Sequence, residues 1–444
     1  MPLRLIGAVV ILVSTIFSAT GATAQVQTIT ATHTYFMGDR DSKEEARALC
    51  YMTAKRKVLE QAGVLIESSS EVRNFDLTKD QISSYSAAIL SVAVVKEAFE
   101  FHDGTNSLTL TVRADVDFEE VRKRLVAILA DKGLQAKVDA QERKIRRLEE
   151  KVQTLNEKLG GASTNVQDEV RKDRDAELVT YYRLGAERGE AESQFYLGLA
   201  SAEGKGAPQD FTQAVAWWRK AANQGLASAQ FNLGQAYDKG DGVPQDLTQA
   251  VAWWRKAAEQ GNADAQYNLG WTYDKGNGVP KDDTQAAAWY RKAAEQGFWE
   301  AQYALGIQCV TGKDFIQAAG WFRTAAEQGL AKAQFFLGVL YDSGKGVPKD
   351  DTQAAAWYRK AAEQGFARAQ FALGLQYVVG KGVPKDFVQA YKWWNLAAGQ
   401  GYQEAIMNRK MLEDDSRMSN DLLAEAQRLA REWTEAFEKR QAKK

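Results

Sequence analysis

One spacing constrains this chain more than any other feature, because in its second half short segments end on glycine at almost constant intervals. The intervals are 36 residues, with one of 32, between Gly189, Gly225, Gly261, Gly297, Gly329, Gly365 and Gly401. A unit of this length cannot bury its apolar face alone, so neighbouring units must stack on one another to form a continuous core. The spacing therefore predicts an array of stacked units from about residue 176 onward.

The residues within one unit predict a pair of helices. In the second full unit, Leu233, Gly234 and Tyr237 share one face of a first helix, and Gly234 lets a second helix approach closely. Asp246 is placed to cap the second helix, with Gln249 as the reciprocal partner of a capping box. The same Asp-x-x-Gln pattern occurs at Asp210, Asp282, Asp314, Asp350 and Asp386.

The motif of these units resembles the Sel-one-like repeat family, a relative of the tetratricopeptide repeats. It reads Ala-Gln-aromatic-x-Leu-Gly-x-x-Tyr, Gly-x-Gly-Val-Pro-x-Asp and Ala-x-x-Trp-aromatic-Arg-Lys-Ala-Ala-x-Gln-Gly. The repeat region, residues 176–404, comprises a half unit at 181–189 followed by six full units from about residue 191 to residue 401. The resemblance implies a right-handed superhelical solenoid of antiparallel helix pairs that acts as an adaptor in protein assembly.

Three departures from the family motif concern local geometry. Ala207 replaces the loop valine, while Ser201 and Cys309 replace the tyrosine of the first helix. The fourth unit lacks the Gly-Val-Pro part of its loop, which accounts for the interval of 32 residues. These departures affect the expected curvature near Cys309 and leave the expected fold unchanged.

The resemblance to tetratricopeptide repeats also implies a ligand-binding groove lined by two positions of each first helix. In the first unit these positions are Phe195 and Leu199. In the later units they are Phe231 and Gln235, Tyr267 and Trp271, Tyr303 and Ile307, Phe335 and Val339, and Phe371 and Leu375. The first position is always aromatic, which packing between repeats explains equally well. The second position varies from repeat to repeat, which favours contact with a protein or peptide ligand.

The repeats contain residue pairs that suggest other sites, but packing and capping explain them better. Trp217-Trp218, Trp253-Trp254 and Trp393-Trp394 suggest sugar stacking, yet the second member recurs at a core position. Asp282-Asp283 and Asp350-Asp351 suggest paired carboxylates, yet one member of each is a predicted cap. The repeats contain no histidine. We find no pattern typical of a nucleophile with its base, a metal site or a phosphate loop, and expect neither enzymatic activity nor a cofactor.

The first 24 residues predict a secretory signal peptide. Arg4 precedes an apolar run from Leu5 to Phe17, and small residues lead to a cleavage site after Ala24. The apolar run is shorter than the roughly 20 residues that a membrane-spanning helix needs. We therefore expect a periplasmic or secreted protein that has no membrane span once the signal peptide is removed.

Residues 25–131 predict a small α+β domain. Strands are expected at 26–36, 64–68, 92–101 and 108–116, with a hairpin turn at Asp103-Gly104. Ser42 with Glu45, and Thr78 with Gln81, form capping boxes for two helices, the first of which is expected to end at Gly63.

This domain resembles the N-terminal domain of a group of periplasmic bacterial proteins that includes the flagellar T protein. The resemblance lies in the segments 46–47, 54–57, 60–63 and 77–80, and it implies a location more than an activity.

Apolar residues spaced by alternating steps of three and four predict a coiled coil over residues 132–160. Its seam comprises Leu134, Val138, Ile145, Leu148, Val152, Leu155 and Leu159, interrupted by Gln141. A parallel homodimer would pair Lys144 of one chain with Glu149 of the other. The alternative is a single amphipathic helix that packs on its own domain. Residues 161–175 are polar and predict a linker, and residues 405–444 predict a helix that caps the solenoid, followed by a tail.

Composition limits the remaining functions. The formal net charge of −1 gives no electrostatic reason to expect a nucleic-acid partner. Cys50 and Cys309 are too few for a disulfide framework, and both are expected to be free and buried. The sequence thus predicts an exported scaffold that holds a protein or peptide in its groove. The alternative is a structural spacer or assembly component of the bacterial envelope.

Overall fold

The computed structural model describes residues 26–37, 41–68, 77–102, 105–159 and 164–441. The predicted signal peptide and the predicted turn at 103–104 lie outside these residues. The chain divides into two compact units. The first extends to Ala236 and includes Gly240–Pro244, and the second comprises Tyr237–Lys239 and the chain from Gln245 onward.

The N-terminal part of the described chain contains a three-stranded antiparallel sheet. Its strands are β1 (Val26–Phe36), β2 (Val92–His102) and β3 (Thr105–Asp117), in the order β1-β3-β2. Strand alternation places Leu108, Leu110 and Val112 of β3 on one face, where all three are fully buried. Helix α1 (Lys43–Ser68) packs on β1 and β3. The prediction of these three strands is confirmed.

Helix α1 begins as predicted but ends later. The hydroxyl of Ser42 accepts a hydrogen bond from the backbone N–H of Glu45 at 3.1 Å, and the backbone N–H of Ser42 donates to the Glu45 carboxylate at 3.4 Å, which confirms the capping box. The predicted end at Gly63 and the predicted strand at 64–68 are wrong, because α1 continues to Ser68. Ala62 and Ile66, one helical turn apart, are both buried, so the apolar face of the helix passes beyond the glycine.

Four more helices complete the region before the repeats. They are α2 (Lys79–Ile89), α3 (Phe118–Ala130), α4 (Lys132–Leu159) and α5 (Thr164–Glu187). Thr78 forms the predicted capping box at the start of α2. Where a linker was predicted at 161–175, residues 164–175 belong to α5, and residues 161–163 lie outside the described chain. The polar composition of this segment wrongly indicated a linker, because its polar residues can be buried in ion pairs. The Arg174 guanidinium is fully buried and bonds Glu45 at 3.3 Å and Asp175 at 3.1 Å.

The predicted coiled-coil seam on α4 is covered by the same chain. Helix α4 packs against α2, α3 and α5. The buried seam residues are Val138, Ile145, Leu148, Val152 and Leu155. The structure therefore favours the alternative, an amphipathic helix that packs within its own chain, and dimerisation through this seam stays a prediction without support from the contacts.

Glu149, predicted to pair with Lys144 of a second chain, is instead turned inward. Its carboxylate is buried and accepts a hydrogen bond from Tyr181 of α5. Burial raises the pKa of Glu149 from 4.5 to about 7, against the opposing effect of Arg56 and Lys55. The protonated form is therefore favoured by folding.

This shift predicts how stability depends on pH. Between about pH 4.5 and 7 the folded chain holds a proton on Glu149 that the unfolded chain has lost, so stability falls as pH rises through this range. Glu149→Gln should remove that loss. We expect the variant to match wild type near pH 4 and to exceed it by about 3 kcal/mol above pH 7.5. Urea unfolding at several pH values measures the difference, and the exposed neighbour variant Glu150→Gln serves as control. A difference that does not change with pH would contradict the prediction.

Six helix pairs follow α5. They are α6 (Ala191–Glu203) with α7 (Phe211–Asn223), α8 (Ala227–Lys239) with α9 (Leu247–Glu259), α10 (Ala263–Lys275) with α11 (Asp283–Glu295), α12 (Trp299–Thr311) with α13 (Phe315–Glu327), α14 (Ala331–Ser343) with α15 (Asp351–Glu363), and α16 (Ala367–Val379) with α17 (Phe387–Gly399). The fold class predicted from the sequence, a mainly helical solenoid behind a small α+β domain, is confirmed. In the shortened fourth pair, Lys313 takes a positive φ of 63° to turn the chain.

The predicted Asp caps are present, but only one half of each capping box forms. The Asp246 carboxylate accepts from the backbone N–H of Gln249 at 3.0 Å, and the other five aspartates do the same in their repeats. The reciprocal bond predicted for Gln249 is replaced, because the backbone N–H of Asp246 donates to the Tyr237 carbonyl at 2.9 Å. This bond ties the start of each second helix to the end of its first helix.

The glycine of each Leu-Gly pair allows the close helix approach that the sequence predicts. A Cβ placed on Gly270 would lie 2.6 Å from Cδ1 of Tyr290 on the second helix. The equivalent glycines that lie within such reach of an aromatic ring are Gly198, Gly306, Gly338 and Gly374. The rings they face are core residues, so packing accounts for the second tryptophan of each Trp-Trp pair: Trp218, Trp254 and Trp394 are all buried.

Two glutamines of the motif form a ladder that the sequence analysis did not recognise. The buried Gln266 donates to the Ala258 carbonyl at 3.0 Å and accepts from Gln296 at 2.8 Å. The same Gln-to-Gln bond joins Gln194 with Gln224, Gln302 with Gln328, Gln334 with Gln364, and Gln370 with Gln400. Each Gln-to-Gln bond links a first helix to the end of its own second helix, while the bond to the alanine carbonyl reaches the second helix of the preceding repeat, so these buried amides are satisfied by two adjacent repeats.

Two helices end the chain, α18 (Gln403–Glu413) and α19 (Asn420–Gln441). Helix α19 packs on α17 and buries Ala426 and Ala430, and its Trp433 lies 6.1 Å from Trp393, ring centre to ring centre. A helix therefore occupies the position predicted for the cap. Both cysteines are free as predicted; Cys50 is buried, whereas Cys309 is only half-buried.

Candidate functional site

The first helices of the repeats, α6, α8, α10, α12, α14 and α16, carry the predicted groove residues. We number each first helix from its first residue, so that Glu300 is position two of α12. Positions two and nine lie nearly two turns apart on one side of the helix, and position five lies beside them. We call the surface formed by positions two, five and nine the first-helix face.

The aromatic residues at position five pack between repeats. Tyr267 lies 5.7 Å from the ring of Tyr290 on its own second helix and 5.2 Å from Phe298, which precedes the next first helix. Phe335 and Phe371 make the corresponding contacts in their repeats, Tyr303 contacts Phe322 of its own second helix and Phe336 within the next first helix, and Phe231 is half-buried. Packing is thus sufficient to account for the constant aromatic character of position five.

Position nine differs, because its side chains reach the surface. Trp271 is 37% exposed and Leu375 is 39% exposed, both high values for large apolar side chains. Gln235, Ile307 and Val339 are half-buried, and the last two also contact the core of the repeat. Position nine, which varies along the array, is therefore also one that the fold leaves accessible.

One member of this row was not predicted from the sequence. Helix α18 continues the series of first helices, since Tyr402 precedes it as Phe366 precedes α16, and Ala405 is fully buried at position three. Position nine of α18 is Met411, which is 69% exposed. Aligning Gly-Tyr-Gln-Glu-Ala at 401–405 with the earlier repeats would have revealed it. The apolar row thus comprises Trp271, Ile307, Val339, Leu375 and Met411.

The charged residues at position two were also missed. In the third and fourth repeats this position is acidic, Asp264 and Glu300, and in the fifth and sixth it is basic, Lys332 and Arg368. Burial, together with the charge of Asp264, raises the pKa of Glu300. Burial also raises the pKa of Tyr303, an effect that the positive charge of Arg368 opposes. The first-helix face therefore changes sign from its acidic third and fourth repeats to its basic fifth and sixth.

In the first repeat, the same face is occupied by the chain's own helix α1. The Arg47 guanidinium donates to the Glu192 carboxylate at 3.3 Å and to the Tyr196 hydroxyl at 3.0 Å. Its central carbon also lies 5.3 Å from the centre of the Phe195 ring. Phe195 is consequently buried and Leu199 half-buried, so the predicted groove position of the first repeat is covered.

Further ion pairs hold α1 against the start of the array. The Lys55 ammonium lies 2.5 Å from Glu190, and Arg188 lies 2.9 Å from the same carboxylate. Although burial opposes it, these two cations lower the pKa of Glu190 to about 2. Lys205 pairs with Glu45 at 3.2 Å at the other end of the contact. The N-terminal domain is thus docked on the first repeat through paired, desolvated charges.

The described residues offer little that resembles a catalytic or metal centre. Nowhere among them do three His, Cys, Asp or Glu side chains group as a metal site would require. Within the same ranges, no helix combines the length and apolar composition of a bilayer span. The surface feature that stands out is the first-helix face, with its apolar row and its charges.

Comparisons with known proteins agree with this architecture. The Sel1 repeat family model matches six consecutive segments, 191–226, 227–262, 263–298, 299–330, 331–366 and 367–402. The crystal structure of a protective antigen from uropathogenic Escherichia coli, which displays an SLR fold, is 28% identical with a TM-score of 0.58. The match covers 90% of this chain and 83% of the antigen.

A Sel1 repeat protein from Oxalobacter formigenes is 30% identical with a TM-score of 0.46, covering 56% of this chain and 96% of that one. The comparison with curated proteins finds no match. The predicted likeness of the N-terminal domain to that of the flagellar T protein stays a prediction. Residues 191–402 are six tandem Sel1 repeats, and the chain is a Sel1-like repeat protein.

Proposed function

We propose that this protein is an exported scaffold that holds a segment of another protein on its first-helix face. Sel1 repeat proteins are generally protein-interaction scaffolds, which gives the class of function. The observation that carries the specific proposal is the apolar row at position nine. The buried position seven of the first helices is leucine in all six repeats, whereas this row varies in size and leaves Trp271, Leu375 and Met411 exposed.

Exposed apolar side chains arranged in a row provide a surface suited to a ligand. A partner that covered them would gain about 25 cal/mol for each Å² of apolar surface removed from water. Side chains at the centre of such contacts commonly supply most of the binding energy. Export to the periplasm or the medium is part of the proposal and is supported by the signal-like pattern of the first 24 residues.

Site-specific crosslinking tests the proposal. A photoreactive amino acid replaces Leu375 in the full-length chain, and in a matched control it replaces Ile316, which is 75% exposed on the second helix α13. We expect a discrete crosslinked product with envelope proteins from position 375 only, weakened at least tenfold when Met411→Ser is added. Products of equal yield at both positions, or none at 375, would favour the alternative of a structural spacer that retains no specific ligand.

A further inference from the structure

The first repeat shows how a helix lies on the first-helix face. Arg47, Tyr51 and Lys55 of α1 are spaced by four residues and form one stripe, which is buried against the start of the array. Arg47 reaches position two, Glu192, and lies over position five, Phe195. Tyr51 lies 6.1 Å from Tyr196, and Tyr182 donates to the Ala48 carbonyl at 2.7 Å. A basic and aromatic helix stripe therefore fits this face.

The fourth repeat presents a closely similar face. Its positions two, five and nine are Glu300, Tyr303 and Ile307, where the first repeat has Glu192, Phe195 and Leu199. Both sets combine a glutamate, an aromatic ring and an aliphatic side chain at the same places on the helix. The second, fifth and sixth repeats have Ser228, Lys332 and Arg368 at position two instead. The two glutamate faces are thus chemically equivalent, but α1 covers only the first.

The two glutamates differ in what neutralises them. Glu192 has Arg47 within 3.3 Å. Glu300 Oε2 is buried and has no hydrogen-bond partner among the described residues. The carboxylate accepts a bond from its own backbone N–H, and the charge that acts on it is the like charge of Asp264. A buried acceptor without a partner is destabilising, and more so when it is charged. The face of the fourth repeat is therefore one on which a cation would be stabilising.

We infer that the fourth repeat binds an amphipathic α-helix of a partner protein, with an arginine of that helix against Glu300 and over Tyr303. This inference rests on the proposed function and specifies the partner. The apolar side chains beside that arginine would contact Trp271 and Ile307. Lys332 and Arg368 of the following first helices favour an acidic residue in the partner beside that arginine, since the positive charge of Arg368 also acts on Tyr303. The charge pattern therefore also fixes the direction in which the helix lies.

A peptide derived from α1 provides the probe. We would synthesise residues 43–62 with Cys50→Ser and a fluorescein label, and measure its anisotropy with the full-length protein, whose own α1 covers the first repeat. A second peptide carries Arg47→Gln. The full-length variants are Glu300→Gln and, as a matched control, Glu295→Gln, an exposed glutamate of the second helix α11.

The expected result is a coupling between the two charges. Glu300→Gln should weaken binding of the arginine peptide at least tenfold, and should leave the weaker binding of the glutamine peptide unchanged. Glu295→Gln should alter neither. A photoreactive group on the peptide should label residues of α12. Melting curves of both variants establish that they fold, and Glu300→Asp should restore part of the affinity.

Two results would overturn the inference. One is binding of the arginine peptide that Glu300→Gln does not weaken, and the other is no binding at the highest soluble peptide concentration. Neither would by itself affect the proposed function, which is tested separately by crosslinking at position 375. If a partner crosslinks at position 375 and Glu300→Gln leaves the yield of the crosslinked product unchanged, the proposed scaffold function is supported. The inference that the partner is a helix with an arginine against Glu300 is then wrong.

Discussion

Arg47→Ala should lower the free energy of unfolding of the first unit by about 3 to 5 kcal/mol, the largest effect we expect from any single substitution. Arg47 and Glu192 are 8% and 4% exposed, so removing the guanidinium leaves a carboxylate buried without a counter-charge. Glu97, which bonds Arg47 at 2.9 Å, loses the same partner. Urea unfolding followed by hydrogen exchange on α1 and α6 measures this loss.

The control is Arg56→Ala on the same helix. Arg56 forms an exposed pair with Glu60 one turn away, and such pairs contribute below about 1 kcal/mol. Adding Glu192→Gln to Arg47→Ala should recover part of the lost stability, because the isolated charge is removed. If Arg47→Ala lowers the free energy of unfolding no more than Arg56→Ala does, then α1 does not cover the first repeat in solution. The contact from which helix binding by the fourth repeat is inferred would then not exist.

The second large effect concerns Trp271 of α10, for which we expect a loss of binding, whereas for its neighbour Gly270 we expect a loss of stability. Trp271→Ala, alone or with Ile307→Ser, should weaken partner capture at least tenfold, since apolar anchors of an interface commonly carry 2 kcal/mol or more. Its effect on the free energy of unfolding should stay within about 1 kcal/mol, because the side chain is more than a third exposed. Capture by the immobilised full-length chain and thermal melting are the two measurements.

Gly270→Ala is the matched control and should behave in the opposite way. The added Cβ would lie 2.6 Å from the Tyr290 ring, so α10 and α11 must separate, at a cost of about 1 to 3 kcal/mol. Binding by the fraction that remains folded should persist. If Trp271→Ala instead unfolds the repeats while the folded remainder binds normally, Trp271 is a core residue and the assignment of position nine is incorrect.

The candidate site could be predicted only in part. The rows at positions five and nine followed from the motif, because every repeat presents the same helix face. The motif could not show that Phe195 is covered, since the side chain responsible, Arg47, lies 145 residues from Glu192 in the chain. The charge change along position two is present in the sequence, but the sequence does not show that one oxygen of Glu300 is buried without a hydrogen-bond partner, because that depends on the packing around it.

The sequence by itself determined the repeats, because each unit contacts only its neighbours and the residues that define its helices lie close together in the chain. The Asp246 cap bonds a residue three positions away, and Gly270 faces Tyr290 only twenty positions away, so a short window of sequence contains both partners. The region before the repeats was decided by tertiary structure. There α1 continues past Gly63, residues 164–175 are helical, and the seam of α4 is buried within the chain, because each depends on contacts between segments far apart in sequence, which periodicity and composition do not encode.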